Sequence, residues 1–486
     1  MGRRAWLYIS IPLLGAGAVL LSLNGCGGGS HTVMPVVPPA ASKIQHVVII
    51  FQENRTPDNL FHDPVLISHG ADIASSGLNS LNQTIALTRI DLGNSHSIPA
   101  PANPDDYDLS HAHSAFVEMC DLNAATEVCA MNGADLIAPS CGAGVTNCWP
   151  ANPQFKYVNP ADVSPYFQMA EKYTFADRMF QTNQGPSFPA HQFIISGTSA
   201  PSAAPAVGSN LFVSENPVGA TNADSNTGCT APPAEYVRLI DPQGSESDTM
   251  YPCFEHPTLT DLLNAAKITW RYYAPSAGSI WTAPNAIQHM CGEPYSSACT
   301  APDWVNNVVL ATTQTPAPIL TDIANGKLPA VSWVIPDGAE SDHALSNDGS
   351  GPSWVSAIVN AIGKSSYWSN TAIIITWDDW GGWYDHVAPT IVNSYEYGFR
   401  VPMLVVSPYA KPAYISHVTH DFGSILKFVE TNFNLPSLGY ADAAADNLSD
   451  CFNYGQTPIS FQTVDAPMKA NYFLNDRRPR TDPDDD

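Results

Sequence analysis

The chain has 486 residues, 44% of them hydrophobic and 13% charged, so it can bury a sizeable core under a sparsely charged surface. Those charges are unbalanced, 20 Lys and Arg against 45 Asp and Glu, for a net −25, and a field of that sign repels nucleic acid and anionic lipid headgroups. With 42 prolines and 32 glycines, long irregular loops are expected around one large core rather than several small domains.

The first segment reads as a targeting signal over residues 1–25. Arg3 and Arg4 precede the uncharged run Leu7–Leu23, which is short for a spanning helix and suits a signal peptide. The run ends in Leu23-Asn24-Gly25-Cys26, which resembles a bacterial lipobox with Cys26 as the lipidated residue. Ordinary cleavage nearby is the alternative. Both readings predict export, either as a lipid-anchored envelope protein or as a secreted one. Residues 26–42 are rich in Gly, Pro and Ala without periodicity and read as a flexible tether.

The catalytic domain is expected over residues 43–455. Val47–Phe51 is a continuous apolar run, the signature of a strand buried on both faces. It stops at Gln52-Glu53-Asn54-Arg55, and Pro57 prevents its extension. Ligands of open α/β sheets bind beyond the carboxyl ends of strands, where Glu53 and Asn54 would sit. Further along, Ser164-Pro165 starts a helix, Thr258–Ala266 is a short helix, and Ile268–Tyr273 and Ala330–Ile335 are strands. Ser353–Ile362 is a helix with Trp354, Ile358 and Ile362 on one face. Ala372–Trp377 repeats the plan of the first strand and runs into Asp378-Asp379 and a double glycine. Adjacent carboxylates at a strand end repel unless a cation lies between them. Pro402–Val406 is a strand and Asp421–Phe433 a helix. This alternation predicts an α/β fold with a doubly wound, mainly parallel sheet flanked by helices. The long polar stretches Ile67–Pro104, Leu122–Pro153 and Pro201–Gln243 read as insertions forming a cap over the strand ends. The tail, residues 456–486, ends in Arg-Pro-Arg-Thr-Asp-Pro and three aspartates and is expected to be partly disordered.

Cysteine spacing agrees with an oxidising compartment. Cys120 with Cys129, Cys141 with Cys148, Cys291 with Cys299 and Cys229 with Cys253 can pair locally, which leaves Cys451 over.

Two motifs carry a family resemblance. Glu53-Asn54-Arg55 with Asp58 and Phe61, and Asp378-Asp379 followed by Gly381-Gly382, Tyr384 and Asp385-His386-Val387, resemble the bacterial phosphoesterase family of phospholipases C and acid phosphatases. That family belongs to the alkaline phosphatase-like superfamily. The resemblance implies that Ser187, in Gly185-Pro186-Ser187-Phe188-Pro189, is the nucleophile, followed by a strand over Phe193–Ile195 and Ser196-Gly197-Thr198. It also implies phosphoryl-binding or acid–base roles for His111, His289 and His343. Glu53, Asn54, Asp378 and Asp379 would hold a divalent metal, whose identity among Mg, Ca, Mn and Zn the oxygen-rich set leaves open. Asp385-His386 reads as support, and His113, His417 and His420 lie outside the site. No Rossmann or P-loop glycine motif is present, so no nucleotide cofactor is expected.

The predicted reaction is metal-dependent phosphodiester hydrolysis of the phospholipase C type through a phosphoseryl intermediate. Alternatives are an acid phosphatase acting on monoesters and a surface lipoprotein that binds phosphorylated ligands without turnover. Trp380 and Trp383 flank the double glycine, where their rings can face the cleft and attract a choline headgroup.

Overall fold

A computed structural model describes residues 42–93, 107–123, 126, 128–142, 144–203, 211–219 and 226–480. The segment read above as a signal, Cys26 and the stretch read as a tether, up to residue 41, lie outside the described residues.

Eight strands form the central sheet: β1 (His46–Gln52), β2 (Thr174–Ala176), β3 (Trp270–Ala274), β4 (Val308–Leu310), β5 (Val331–Val334), β6 (Thr371–Trp377), β7 (Met403–Val406) and β8 (Tyr414–Ser416). Their spatial order is β4-β3-β5-β1-β6-β7-β2-β8. All neighbours pair in parallel except β7, which runs antiparallel to both β6 and β2. β1 and β6 lie at the centre, and every residue of β6 is buried, as their unbroken apolar runs require.

The helices around this sheet include α1 (Ser164–Lys172), α2 (Ser187–Ser196), α3 (Leu259–Ala266), α4 (Pro318–Ala324), α5 (Gly351–Gly363), α6 (Phe422–Phe433) and α7 (Ala470–Asn475). They form two layers. α5 packs on α1, α4 and α7, whereas α2 packs on α3 and α6. The strands show that these layers lie on opposite faces. Phe51 meets Phe422 of α6, and the Trp333 indole donates to Ile194 O of α2. Trp377, in register with Gln52 and so on the other face, meets Tyr166 of α1. The doubly wound, mainly parallel architecture expected from the sequence is therefore present. Among the described residues, no helix is long and apolar enough to cross a membrane.

Three expectations change. Phe193–Ile195 is helix, not strand, and forms the second half of α2. A short apolar run cannot by itself separate a buried strand from a buried helix. Here every residue from Ser187 to Ser196 is buried, and Gly197, at φ 72°, ends the helix in the left-handed conformation. More of the tail is built into the fold than its composition suggests: up to residue 480, α7 packs on α4 and α5, and Arg478 and Arg480 form ion pairs. The insertions carry structure of their own. Residues 107–155 build a second small core in which Tyr107, Leu109, Phe116 and Met119 pack with Trp380 and Trp383. All four local disulfides form as the spacing suggests, and Cys451 is a buried free thiol.

A buried ionic network ties the loops after β1 and β6 together. Arg400 donates from Nε and Nη2 to both oxygens of Asp385, at 2.8 and 2.9 Å, and from Nη2 to Asp58 at 3.2 Å. All three side chains are fully buried. His386 donates from Nδ1 to Asp58 at 2.7 Å and from Nε2 to Asp72 at 2.9 Å, which holds it as the cation. Burial pushes its pKa down, but the hydrogen bond and charge of Asp58 outweigh burial and raise it to about 9. An unfolded histidine titrates near ~6.5. The folded state thus keeps a proton that the unfolded chain has lost. The resulting stabilisation is complete below the unfolded value and disappears as the pH rises through about 9. We expect the wild-type unfolding free energy to exceed that of His386→Asn by on the order of 2–3 kcal/mol more at pH 6 than at pH 9.5, as read by urea denaturation. A difference that does not change with pH would contradict this assignment.

Candidate active site

The site is set by strand register. Gln52 pairs with Trp377, so the turns that leave β1 and β6 begin side by side. Asp378 N donates to Gln52 O at 3.0 Å, and Asn54 N donates to Asp378 Oδ1 at 3.0 Å. Asn54 adopts φ 60°, a left-handed conformation that asparagine tolerates better than most residues. The double glycine is needed for close approach as well as for its positive φ. A Cβ on Gly381 would lie 2.5 Å from Asn54 O, and one on Gly382 would lie 2.5 Å from Leu109 Cβ.

The sequence-predicted residues converge here, with one exception. Glu53, Asn54, Asp378, Asp379, Ser187 and His111 are fully buried, and His343 is nearly so. Ser187 opens α2, and its hydroxyl donates to Asp379 Oδ2 at 3.2 Å. Asp379 Oδ1 accepts Gly381 N at 2.7 Å, which fixes the carboxylate plane. His111 donates from Nδ1 to Leu109 O at 2.9 Å, so its Nε2 accepts from Asn54 Nδ2 at 3.1 Å. This bond turns the Asn54 amide so that Oδ1 points the other way. His343 donates from Nδ1 to Ala344 O at 2.6 Å, and its ring lies 5.7 Å from that of His111.

His289 is the exception. It sits in the short helix Gln288–Cys291, about a quarter exposed, and its ring is taken by Glu255 at 2.9 Å and Asp261 at 3.4 Å. Local acids, not the strand ends, decide where it points, so we do not group it with His111 and His343. Trp380 and Trp383 also differ from expectation. Trp380 is fully buried and packs against Phe116, Phe399 and His111, and the Arg55 guanidinium covers Trp383 at 4.9 Å. Neither ring face is open to a headgroup.

Sequence reasoning missed His191. Its Nε2 lies 3.3 Å from Glu53 Oε1 and 3.9 Å from Asp378 Oδ2. It follows Ser187 by four residues, so both share one face of α2. That relation is invisible if the segment is read as a strand. Asn216, from the insertion Pro201–Gln243 predicted as part of the cap, was missed too. Its Oδ1 accepts Phe188 N at 2.9 Å and so steadies the first turn of α2. Its neighbour Glu215 accepts His113 N at 3.1 Å, and burial together with the charge of Glu246 pushes its carboxyl up to about 7.

The donor set fits a divalent cation. Ligand atoms of Glu53, His191 and Asp378 lie within 4.8 Å of one another. Asn54 Oδ1 and Asp378 Oδ2 are buried without a hydrogen-bond partner. Buried acceptors are rarely left in that state, and a cation would satisfy both. Oxygen donors with one imidazole are compatible with several divalent ions.

Comparison with known proteins gives the family. The profile of the Phosphoesterase family matches residues 44–436. The non-hemolytic phospholipase C of Burkholderia pseudomallei is 34% identical over 190 residues, which cover 32% of this chain and 27% of that protein. The hemolytic phospholipase C of Pseudomonas aeruginosa is 23% identical over 474 residues, covering 87% of this chain and 58% of that protein. Both alignments thus span less than two thirds of the relative's own length. A solved protein of the alkaline phosphatase superfamily from Vibrio parahaemolyticus superposes with a TM-score of 0.33 at 12% identity, covering 60% of this chain and 67% of that one. With its profile matched across most of the sequence, this chain belongs to the Phosphoesterase family.

Proposed function

We propose that the protein is an exported, metal-dependent phosphoester hydrolase that works through a phosphoseryl intermediate. The observation that carries this reading is the Ser187 hydroxyl, at the start of a buried helix, donating to one carboxylate of the Glu53–Asn54–Asp378–Asp379 group. Glu53, Asn54 and Asp378 would hold the cation, with His191 as a further ligand or as a donor to Glu53, and Asp379, placed in the same set by its sequence, would instead take the Ser187 proton. A divalent ion held there would favour the Ser187 alkoxide and would offset charge on the phosphoryl oxygens.

The chain's own groups then divide the work. Ser187 Oγ gives up its proton along the hydrogen bond to Asp379 and bonds to phosphorus. The bond from phosphorus to the leaving oxygen breaks, and that oxygen takes the Nε2 proton of a His343 ring that enters the cycle protonated on both nitrogens. His343 suits this exchange because its Nδ1–H is committed to Ala344 O. In the second half, His343 accepts a proton from water, the water oxygen replaces Ser187 on phosphorus, and Ser187 recovers its proton from Asp379. His111 is the positioning residue for Asn54. Ser187 is the first residue of α2, so the positive end of that helix would lie against the phosphoryl group it attacks.

Relatives described as phospholipases C support a diester substrate over a monoester one. The four disulfides support an oxidising compartment and hence export. Anchoring through Cys26 is part of the same proposal.

Its three parts, the cation, the nucleophile and the substrate class, are tested separately. Asp378→Asn is expected to lower kcat/KM by well over ~10-fold, since the cation supplies several kcal/mol at the transition state. Full activity after chelation to nil metal content would refute metal dependence. Ser187→Ala is expected to abolish turnover while metal content, read by elemental analysis, stays near that of wild type. Acid-quenched wild type should carry phosphate on the peptide containing Ser187, and label elsewhere would name a different nucleophile. For substrate class, the ratio of kcat/KM for p-nitrophenylphosphorylcholine to that for p-nitrophenyl phosphate is expected above one. A ratio below one would establish the monoesterase. Because Trp380 is packed, Trp380→Ala should cost about 3–5 kcal/mol of stability and leave that ratio unchanged.

A further inference from the structure

The tail beyond the predicted catalytic domain reaches the loop that carries His343. This loop, residues 335–350, joins β5 to α5 and is held at two levels. Its inner anchor is Asp342, which accepts the Tyr166 hydroxyl at 2.7 Å and the Trp377 indole N–H at 3.0 Å. Its outer edge carries three acids. Asp337 Oδ1 accepts Glu340 N at 2.9 Å, closing a turn in which both side chains are nearly fully buried. Asp348 stands at the far end, where it caps Ser350 N at 2.9 Å.

Two buried carboxylates one turn apart repel, and neither faces water that could screen them. The tail supplies the missing charge. Arg480 Nη1 lies 2.7 Å from Asp337 Oδ2 and 3.3 Å from Glu340 Oε1, and its side chain is only 7% exposed. Arg478 reaches Asp348 Oδ2 at 2.7 Å and forks onto Asp476 at 2.9 and 3.0 Å. α7 delivers both arginines, because it packs on α4 and α5. Burial, with the neighbouring acid, raises the Glu340 carboxyl well above its usual range despite Arg480, a measure of how poorly this pair tolerates its own charge. The turn also touches the metal side of the site. Glu340 O accepts Gln52 Nε2 at 3.2 Å, and Gln52 precedes Glu53.

We propose that Arg480, assisted by Arg478, is a positioning residue for the active site: it neutralises the Asp337–Glu340 turn and so fixes the loop that presents His343. The proposal rests on the hydrolase reading of His343. It makes the last described residues of the chain part of the catalytic apparatus, with loss of the tail after residue 475 expected to inactivate the enzyme without touching a ligand or the nucleophile.

The test compares full-length wild type, Arg480→Met and the triple variant Arg480→Met/Asp337→Asn/Glu340→Gln. Readouts are kcat and KM on bis(p-nitrophenyl) phosphate and amide hydrogen exchange of peptides spanning 337–350. In Arg480→Met, kcat should fall about 10- to 100-fold with KM changed less than about 3-fold, as for a misplaced proton donor, and exchange of 337–350 should rise. The triple variant removes the repulsion along with the arginine, so both readouts should return to within about 3-fold of wild type. Wild-type kcat and exchange in Arg480→Met would overturn the proposal. A folded triple variant that stays slow and fast-exchanging would overturn it as well. If Arg480→Met does not fold, the triple variant decides by the same two readouts. If the wild type hydrolyses no phosphoester, the hydrolase reading falls, and the exchange comparison alone judges whether Arg480 fixes the loop.

Discussion

Strands β1 and β6 run parallel with Gln52 opposite Trp377, and this pairing joins two turns whose interacting residues, Asn54 and Asp378, are 324 positions apart. The rest of the site is built on that edge. Asn54 takes a left-handed conformation to reach Asp378, Gly381 gives up its side chain so that the Asn54 backbone can approach, and His111 then turns the Asn54 amide. A shift of one residue in the register would turn the strands' side chains to the wrong faces and separate the carboxylates.

Buried acid is the recurring electrostatic problem of this chain, and it is met in three ways. Around Asp58 and Asp385 the chain provides Arg400 and the protonated His386. Around Asp337 and Glu340 it provides Arg480. Around Glu53 and Asp378 it provides one imidazole, His191, and leaves Asn54 Oδ1 and Asp378 Oδ2 without hydrogen-bond partners. The contrast supports an external cation at the third cluster. Arginine stands against two of these acid groups, and the third is the one proposed above to hold a metal, where charge is useful to phosphoryl chemistry.

Helix α2 shows how a local misreading hides chemistry. Read as a strand, the run after Ser187 sends alternate side chains to opposite faces, and His191 has no relation to the nucleophile. As a helix, residues 187 and 191 stand one turn apart on one face, and His191 falls beside Glu53. The aromatic residues of the Asp378 loop went wrong for a different reason. A turn rich in tryptophan can face a cleft or a second core, and the insertion of residues 107–155 supplied that core.

The sequence by itself determined the Glu53-Asn54 and Asp378-Asp379 motifs, the turn that carries Ser187, the buried central strands and the local cysteine pairs. Each of these is written in contiguous residues whose chemistry or apolar run is legible without a partner. Only the tertiary structure decided which histidines belong together, that Trp380 and Trp383 are packing residues, and that Arg478 and Arg480 of the tail pair with acids of the main body. His289 and His343 look alike as isolated residues, yet one lies against Glu255 and Asp261 and the other beside His111. Arg478 and Arg480 sit in a polar, proline-containing stretch that offers no core of its own, and their order comes from acids more than a hundred residues earlier in the chain. The physical reason is common to all three: the free energy that fixes these groups lies in long-range contacts between charges and rings, which local propensity does not encode.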